Sequence, residues 1–127
     1  YIFGLPNDTL QTMQNTLDFA MENSTDMANF YSAMAYPGSP LYLEAKREGM
    51  ELPSTYTGYS QHSYDSLNMS NDNLTSAQIL EFRDMAWNKY HTNPKYVNQL
   101  EKKFGPAAKK ELENTTKVSL KRKLLGD

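Results

Sequence analysis

The rhythm of apolar and polar positions changes several times along the chain. Tyr1-Ile2-Phe3 is a short β-favouring run, cut off by Gly4 and Pro6. From Leu10 the rhythm is helical. Leu10, Met13, Leu17 and Met21, with Ala20 beside them, recur at helical spacing, while Gln11, Asn15, Asp18 and Glu22 fall on the other side. Asn7 or Asp8 is expected to cap this helix, because a short side-chain oxygen accepts from the free N–H groups of the first turn. Asn23-Ser24-Thr25-Asp26 closes it with residues that prefer turns.

Met27 to Tyr36 reads as a second strand. Its centre, Ala28 to Ala35, carries few charges and many small or aromatic residues, which suits a strand buried on both faces of a parallel sheet. Two parallel strands joined through a helix make a right-handed βαβ unit. Ser39 then serves as N-cap and Pro40 as first helical residue, and Gly49 stops that helix after the basic turn Lys46-Arg47.

Residues 51–73 have no period and are rich in Ser, Tyr, Asn and Gly. A stretch of this length is a functional loop or a disordered one, and Tyr56, Tyr59 and Tyr64 argue against disorder. Helices return at residue 74. Thr75 and Gln78 form a capping box and Leu74 faces Ile79 as a hydrophobic staple. Ile79, Phe82, Ala86 and Tyr90 make the buried stripe, flanked by Leu80 and Trp87. Asn93-Pro94 opens another helix carrying Val97, Leu100 and Phe104, which Gly105 ends. Pro106 opens the last, whose stripe of Leu112, Val118 and Leu124 is sparse, and the final ten residues are expected to fray.

The expected fold is therefore α/β and helix-rich: a βαβα portion over 1–50, a Tyr-rich loop over 51–73, and a helical extension over 74–127. A two-stranded parallel sheet is small for its kind, since parallel sheets are covered on both faces and commonly have more strands. The pattern thus reads as the back end of a larger α/β domain, beginning in mid-strand and without an initiator Met. Its open strand edges invite self-association.

Composition narrows the chemistry. At 127 residues there is room for one core. Charged residues are 22% and mean hydropathy is −0.73, with no apolar run of membrane-spanning length and no signal peptide, which favours the cytoplasm. The absence of Cys excludes disulfides, thiolate metal sites and thiol nucleophiles within these residues. Net charge is −2, but eight of the 13 Lys and Arg fall after residue 100. Such a basic tail fits an acidic docking partner or nucleic acid, or is simply a solvated helix face, the plainer reading.

Two loops stand out. Gly4 to Thr9 follows a strand and opens a helix, where free N–H groups can receive a carboxylate or phosphate; the plainer reading is a βα turn, and Asp8 would repel an anion. Tyr36-Pro37-Gly38-Ser39 ends the second strand. Both lie at the carboxyl edge of the sheet, where α/β proteins place ligands. His62, in the aromatic loop, is a candidate for proton transfer, with Tyr64 beside it. His91 sits at a helix end, where it caps carbonyls. No paired carboxylates, Ser/His/Asp set or metal-ligand spacing assembles from the rest.

In order and spacing, YIFGLPNDTLQTM and ANFYSAMAYPGSPLYLEAKREG resemble the second half of the barrel of a radical S-adenosylmethionine (SAM) enzyme. The nearest likeness is to the cobalamin-binding branch, with its Gly-Leu-Pro-Gly-Glu-Thr loop and Tyr-Pro-Gly-Thr-x-Leu-Tyr turn. GYSQHSYDSL and TNPKYVNQLEKKFG resemble, less specifically, the helical extension that follows that barrel. The resemblance implies a partial (β/α)₆ TIM-like barrel in which Tyr1–Phe3 is the fifth strand and Ala28–Tyr36 the sixth. It implies a 4Fe-4S cluster held by an upstream Cys triad, a 5′-deoxyadenosyl radical made from SAM, and possible cobalamin binding. Ile2 and Gly4 would support the SAM adenine, with Met34, Ala35 and Tyr36 nearby, and residues 56–67 would cover a small-molecule substrate. Asn7 and Asp8 replace the family's Gly and Glu; Asn tolerates the positive φ that such a turn needs. This chain would then bind neither cluster nor SAM alone, its partners being the upstream barrel and cobalamin domain. The alternative is a non-catalytic helical module that docks through its basic tail.

Overall fold

The computed structural model describes residues 1–127. In chain order the elements are β1 (Ile2–Phe3), α1 (Leu10–Asn23), β2 (Tyr31–Ser32), α2 (Pro40–Arg47), a 3₁₀ turn at Tyr56–Tyr59, α3 (Ser76–His91), α4 (Pro94–Phe104), α5 (Pro106–Thr116) and a last 3₁₀ turn at Lys123–Leu125. The fold is helix-rich α/β with a two-stranded parallel sheet, β1 beside β2, Ile2 opposite Tyr31 and Phe3 opposite Ser32. No helix is long and apolar enough to cross a membrane.

The second strand is shorter than its sequence suggests. β1 offers ladder partners only at Tyr1 and Phe3, whose carbonyls accept from Tyr31 and Ala33 at 3.0 and 2.8 Å. At Gly4 the chain turns away with φ 80°. Ladder geometry therefore ends within two residues, although Phe30, Ser32, Ala33, Met34 and Ala35 are all buried.

One core joins the sheet to the later helices. Phe3 and Phe30 stack at 5.8 Å, Phe82 of α3 meets Phe3 edge-on at 5.1 Å, and Tyr90 meets Phe30 at 5.4 Å. Met13, Leu17 and Ala20 of α1, Leu74 just ahead of α3, Ile79 and Ala86 of α3 and Tyr96 of α4 complete it. Each such large apolar side chain contributes about 1.5–3 kcal/mol by burial. The Tyr90 and Tyr96 hydroxyls donate to the carbonyls of Thr25 and Asp26, so the turn after α1 is held by the helices that pack on it. Tyr1, Phe3 and Phe30 share the covered face of the sheet. On the opposite face Ile2 and Tyr31 remain 47% and 39% exposed.

Helix starts follow local chemistry. Thr75 and Gln78 form the capping box, Ser39 and Asn93 cap helices that begin with Pro, and Gly105-Pro106 separates the last two. Two expectations are corrected. Thr9, not Asn7 or Asp8, caps α1, in a reciprocal pair with Thr12. α5 ends at Thr116, so Val118 and Leu124 belong to no helical stripe. The expected fraying of the final residues is also not what the structure shows, for Arg122 is fully buried.

Candidate functional site

At the carboxyl edge of the sheet, β1 runs into a tight turn in which Gly4 and Asn7 take φ 80° and 73°. Asp8 faces back into it. Its Oδ2 accepts from the N–H groups of Gly4 and Leu5 at 2.9 and 3.0 Å, and its Oδ1 from the Thr12 hydroxyl at 2.7 Å. The Gly4 and Leu5 N–H groups of the turn are thus occupied by the chain's own carboxylate, and at the start of α1 the Thr12 N–H is taken by the Thr9 hydroxyl. Asn71 closes the turn from outside, donating to the carbonyls of Leu5 and Asp8 at 2.9 and 3.1 Å. The second turn is closed by Ser39, whose hydroxyl donates to the Tyr36 carbonyl at 2.8 Å and accepts from the Tyr42 N–H.

The residues expected at the SAM adenine divide accordingly. Ile2 presents its side chain on the uncovered sheet face beside Tyr31, and Tyr36 is 48% exposed, its ring 5.9 Å from Tyr59. Met34 and Ala35 are buried, at 6% and 2% exposure. Gly4 has lost its free N–H to Asp8, and a Cβ there would lie 2.6 Å from Ile79. Of these residues only Ile2 and Tyr36 present exposed side chains. No three His, Cys, Asp or Glu side chains converge in a metal-holding group.

The aromatic loop packs along the outer edge of β2. Gln61 is buried, and its amide makes a two-point pairing with Ser32: the Ser32 N–H donates to Oε1 at 2.9 Å and Nε2 donates to the Ser32 carbonyl at 3.0 Å. The Met69 N–H donates to the Ala33 carbonyl at 2.9 Å, and the Asn68 amide reaches the Ser76 carbonyl. The β2 edge is thus covered, which removes one of the two open edges expected from sequence. Ser32 Oγ, Ser66 Oγ and Asn68 Oδ1 are sealed within this packing without partners.

His62 and Tyr64 project from the same loop toward the C-terminal segment. The Tyr64 hydroxyl donates to the Asp127 carbonyl at 2.9 Å, and its own carbonyl accepts from the Lys123 N–H at 3.0 Å. Arg122 holds this arrangement. Nε and Nη2 donate to the two oxygens of Asp84 at 2.8 and 2.9 Å, Nη1 donates to the Ser63 carbonyl, and Nη2 also donates to that of Gln61. His62 lies beside this pair of α3 and tail. Burial lowers its pKa from the ordinary value, and the positive charges of Arg83 and Arg122 lower it further. It is thus the neutral imidazole near pH 7, able to accept a proton. Sequence reading missed Gln61, Arg83, Asp84 and Arg122. Their partners stand 29 to 61 residues away, save for the adjacent Arg83–Asp84 pair, so no local pattern marks them.

No protein-family model matches the chain, and no solved structure matches it. Over 97 residues, 76% of its length, the chain is 28% identical to an uncharacterized methyltransferase of Pyrococcus horikoshii, and the match covers 20% of that protein. The chain thus spans about a fifth of the length of this curated relative.

Proposed function

We propose that this chain is the C-terminal part of a radical SAM enzyme of the cobalamin-binding branch, closing a partial (β/α)₆ barrel. The observation that carries this reading is the parallel β1-α1-β2 unit, whose two strands run into the Gly4–Asp8 and Tyr36–Ser39 turns that the family resemblance identified. The uncovered sheet face at Ile2 and Tyr31 adds support, because parallel sheets are covered on both sides and this one lacks its second cover. A methyltransferase as relative fits methyl transfer, one of the reactions of that branch.

In this reading the cluster ligands and the SAM methionine site lie upstream. When bound in the whole enzyme, SAM and the cluster supply a 5′-deoxyadenosyl radical or a methyl group. Ile2 gives an apolar wall to the adenine and Tyr36 an exposed ring at the end of β2. Asp8 shapes the first turn instead of binding ligand. The loop of residues 56–67 reaches the carboxyl edge of the sheet through the Tyr59 ring beside Tyr36, while His62 faces α3 and Tyr64 anchors the loop to the tail. The alternative of a docking module with a basic tail is less well supported, because Arg122 serves an internal pair and Lys103 and Lys109 are bonded to Asp26 and Glu101.

The test uses the full-length protein, purified without oxygen and reconstituted with iron and sulfide. Reduced protein incubated with SAM is expected to release 5′-deoxyadenosine or S-adenosylhomocysteine. Ile2→Asp is expected to weaken SAM binding at least about tenfold, roughly 1.4 kcal/mol, with cluster content unchanged. An upstream sequence without the Cys triad, or full-length protein that neither holds a cluster nor binds SAM, would overturn the proposal.

A further inference from the structure

Between α3 and the segment that follows α5 lies a cavity of about 440 Å³, lined among others by Arg83, Asp84, Trp87, Asn88, His62 and Lys117. This volume is that of a small-molecule site. Its charge balance is uneven. Arg83, which lines the cavity, and Arg122, which does not, are 3% and 0% exposed, and both pair with the single carboxylate of Asp84 in the cavity wall, at 2.7 Å for Arg83 and 2.8 Å for Arg122. The exposed Asp127 carboxylate reaches only the Arg122 backbone N–H. Two desolvated guanidinium groups therefore share one anion. A buried cation without its counter-charge is costly, and an added anion would offset that cost.

The donors are also incompletely used. Every nitrogen of the Arg122 guanidinium donates to a carboxylate or carbonyl oxygen. In Arg83, Nε donates to the Phe30 carbonyl at 2.7 Å and Nη1 to Asp84, while Nη2 has no partner within the protein. That nitrogen is not among the sealed orphan atoms, and the side chain carrying it lines the cavity. Beside it stands Trp87, which lines the cavity and whose ring centroid lies 4.5 Å from that of His91. A fixed guanidinium edge next to an indole surface selects an anion attached to something flat. The lowered basicity of His62, due to burial and then to the two arginines, fits a positive potential there.

We propose that this cavity binds a small planar organic anion, an aromatic carboxylate or phosphate monoester, with its charged group on Arg83 Nη2 and its ring against Trp87. Lys117 at the cavity wall adds a second positive charge.

Trp87 is the single tryptophan of these 127 residues, and in the full-length protein the emission change that reports on the site is the one lost in Trp87→Phe. The probes are phenyl phosphate, benzoate and neutral phenol, titrated at constant ionic strength. At least one of the two anions is expected to change the emission saturably with a Kd of about 1 mM or tighter, phenol should give no saturable change, and the arm that responds more strongly separates phosphate from carboxylate. Arg83→Lys keeps the charge but loses the fork, and is expected to raise Kd at least about tenfold. Should that variant fail to fold by circular dichroism, amide and indole chemical shifts of the native protein serve instead, with changes centred on Trp87 and Asn88. The proposal is overturned if neither anion saturates below about 20 mM, if phenol responds equally, if Arg83→Lys leaves affinity unchanged, or if the shifts lie elsewhere.

Discussion

Gly4→Ala separates two reasons for a glycine at the end of β1. One is that a cofactor needs close backbone approach there; the other is that the fold itself has no room. The structure supports the second. Gly4 has φ 80°, and an added Cβ would stand 2.6, 2.7 and 3.0 Å from Cγ2, Cδ1 and Cγ1 of Ile79, a fully buried side chain. The positive φ costs a non-glycine residue about 1–2 kcal/mol, and forcing a methyl group into a packed core costs about 1–3 kcal/mol more. Together they give about 2–5 kcal/mol, a shift of roughly 1–3 M in the urea midpoint at a slope of about 1.5 kcal/mol/M. Urea unfolding followed by circular dichroism measures it. Repeating the substitution in an Ile79→Ala background removes all three close atoms, so the cost of Gly4→Ala there should fall to the backbone part, about 1–2 kcal/mol, a coupling of about 1–3 kcal/mol. Equal costs in the two backgrounds would refute the steric argument. A cost below about 0.5 kcal/mol in the native background would refute both parts and return Gly4 to a purely ligand-facing role.

Other outcomes follow from the contacts around the loop and tail. Gln61→Ala leaves the buried N–H and carbonyl of Ser32 unpaired and is expected to cost about 2–5 kcal/mol in the same unfolding assay; Gln61→Glu, nearly the same shape, should also destabilise, because a carboxylate oxygen would face the Ser32 carbonyl. His91 is buried, with Nδ1 2.7 Å from the Trp87 carbonyl, and burial holds its pKa below the ordinary value. The unfolded chain therefore binds more protons, so this contribution is intact above about pH 6.5 and falls as pH drops toward the folded pKa, by at most about 1.4 kcal/mol per pH unit; His91→Phe should flatten the pH dependence between about pH 7 and 5, and an unchanged slope would count against it. Truncation after Lys121 removes the Arg122 donors from the Gln61 and Ser63 carbonyls. Hydrogen exchange over residues 58–67 should then quicken, while α4, which receives no hydrogen bond from Arg122, keeps its protection.

Legibility in the sequence followed the range of the chemistry. Thr75 with Gln78, Ser39-Pro40, Asn93-Pro94 and Gly105-Pro106 act within one helical turn, and the helices start where those residues stand. The apolar stripe of α3 was legible for the same reason, since its spacing reflects the one face that meets Phe3 and Phe30. Asp8 misled because a carboxylate just ahead of a helix satisfies a preceding turn as readily as the helix, and here the turn's N–H groups took it. The extent of β2 depends on how far β1 can pair, which its own residues do not encode. Arg83, Arg122 and Gln61 are polar residues of the kind usually found in water; only the folded chain shows that each serves backbone carbonyls across the core boundary. His62 lies in the loop, and its neighbours Arg83, Asp84 and Trp87 come from α3, which sequence adjacency does not bring to it.

The Gln61 amide gives the sheet a direction of growth. A carboxamide offers the same donor and acceptor as one peptide unit, so it completes one rung beside Ser32. It carries no continuing backbone on its far side, and a further strand arriving there would find nothing to copy. At the other margin the alternation of ladder bonds at Tyr1 and Phe3 turns the Ile2 peptide groups outward. One margin is finished and the other can still be extended. Any additional strand, from the same polypeptide or from another, has its place beside Ile2, and the order of assembly of a larger sheet would run from that side toward the stop that Gln61 provides.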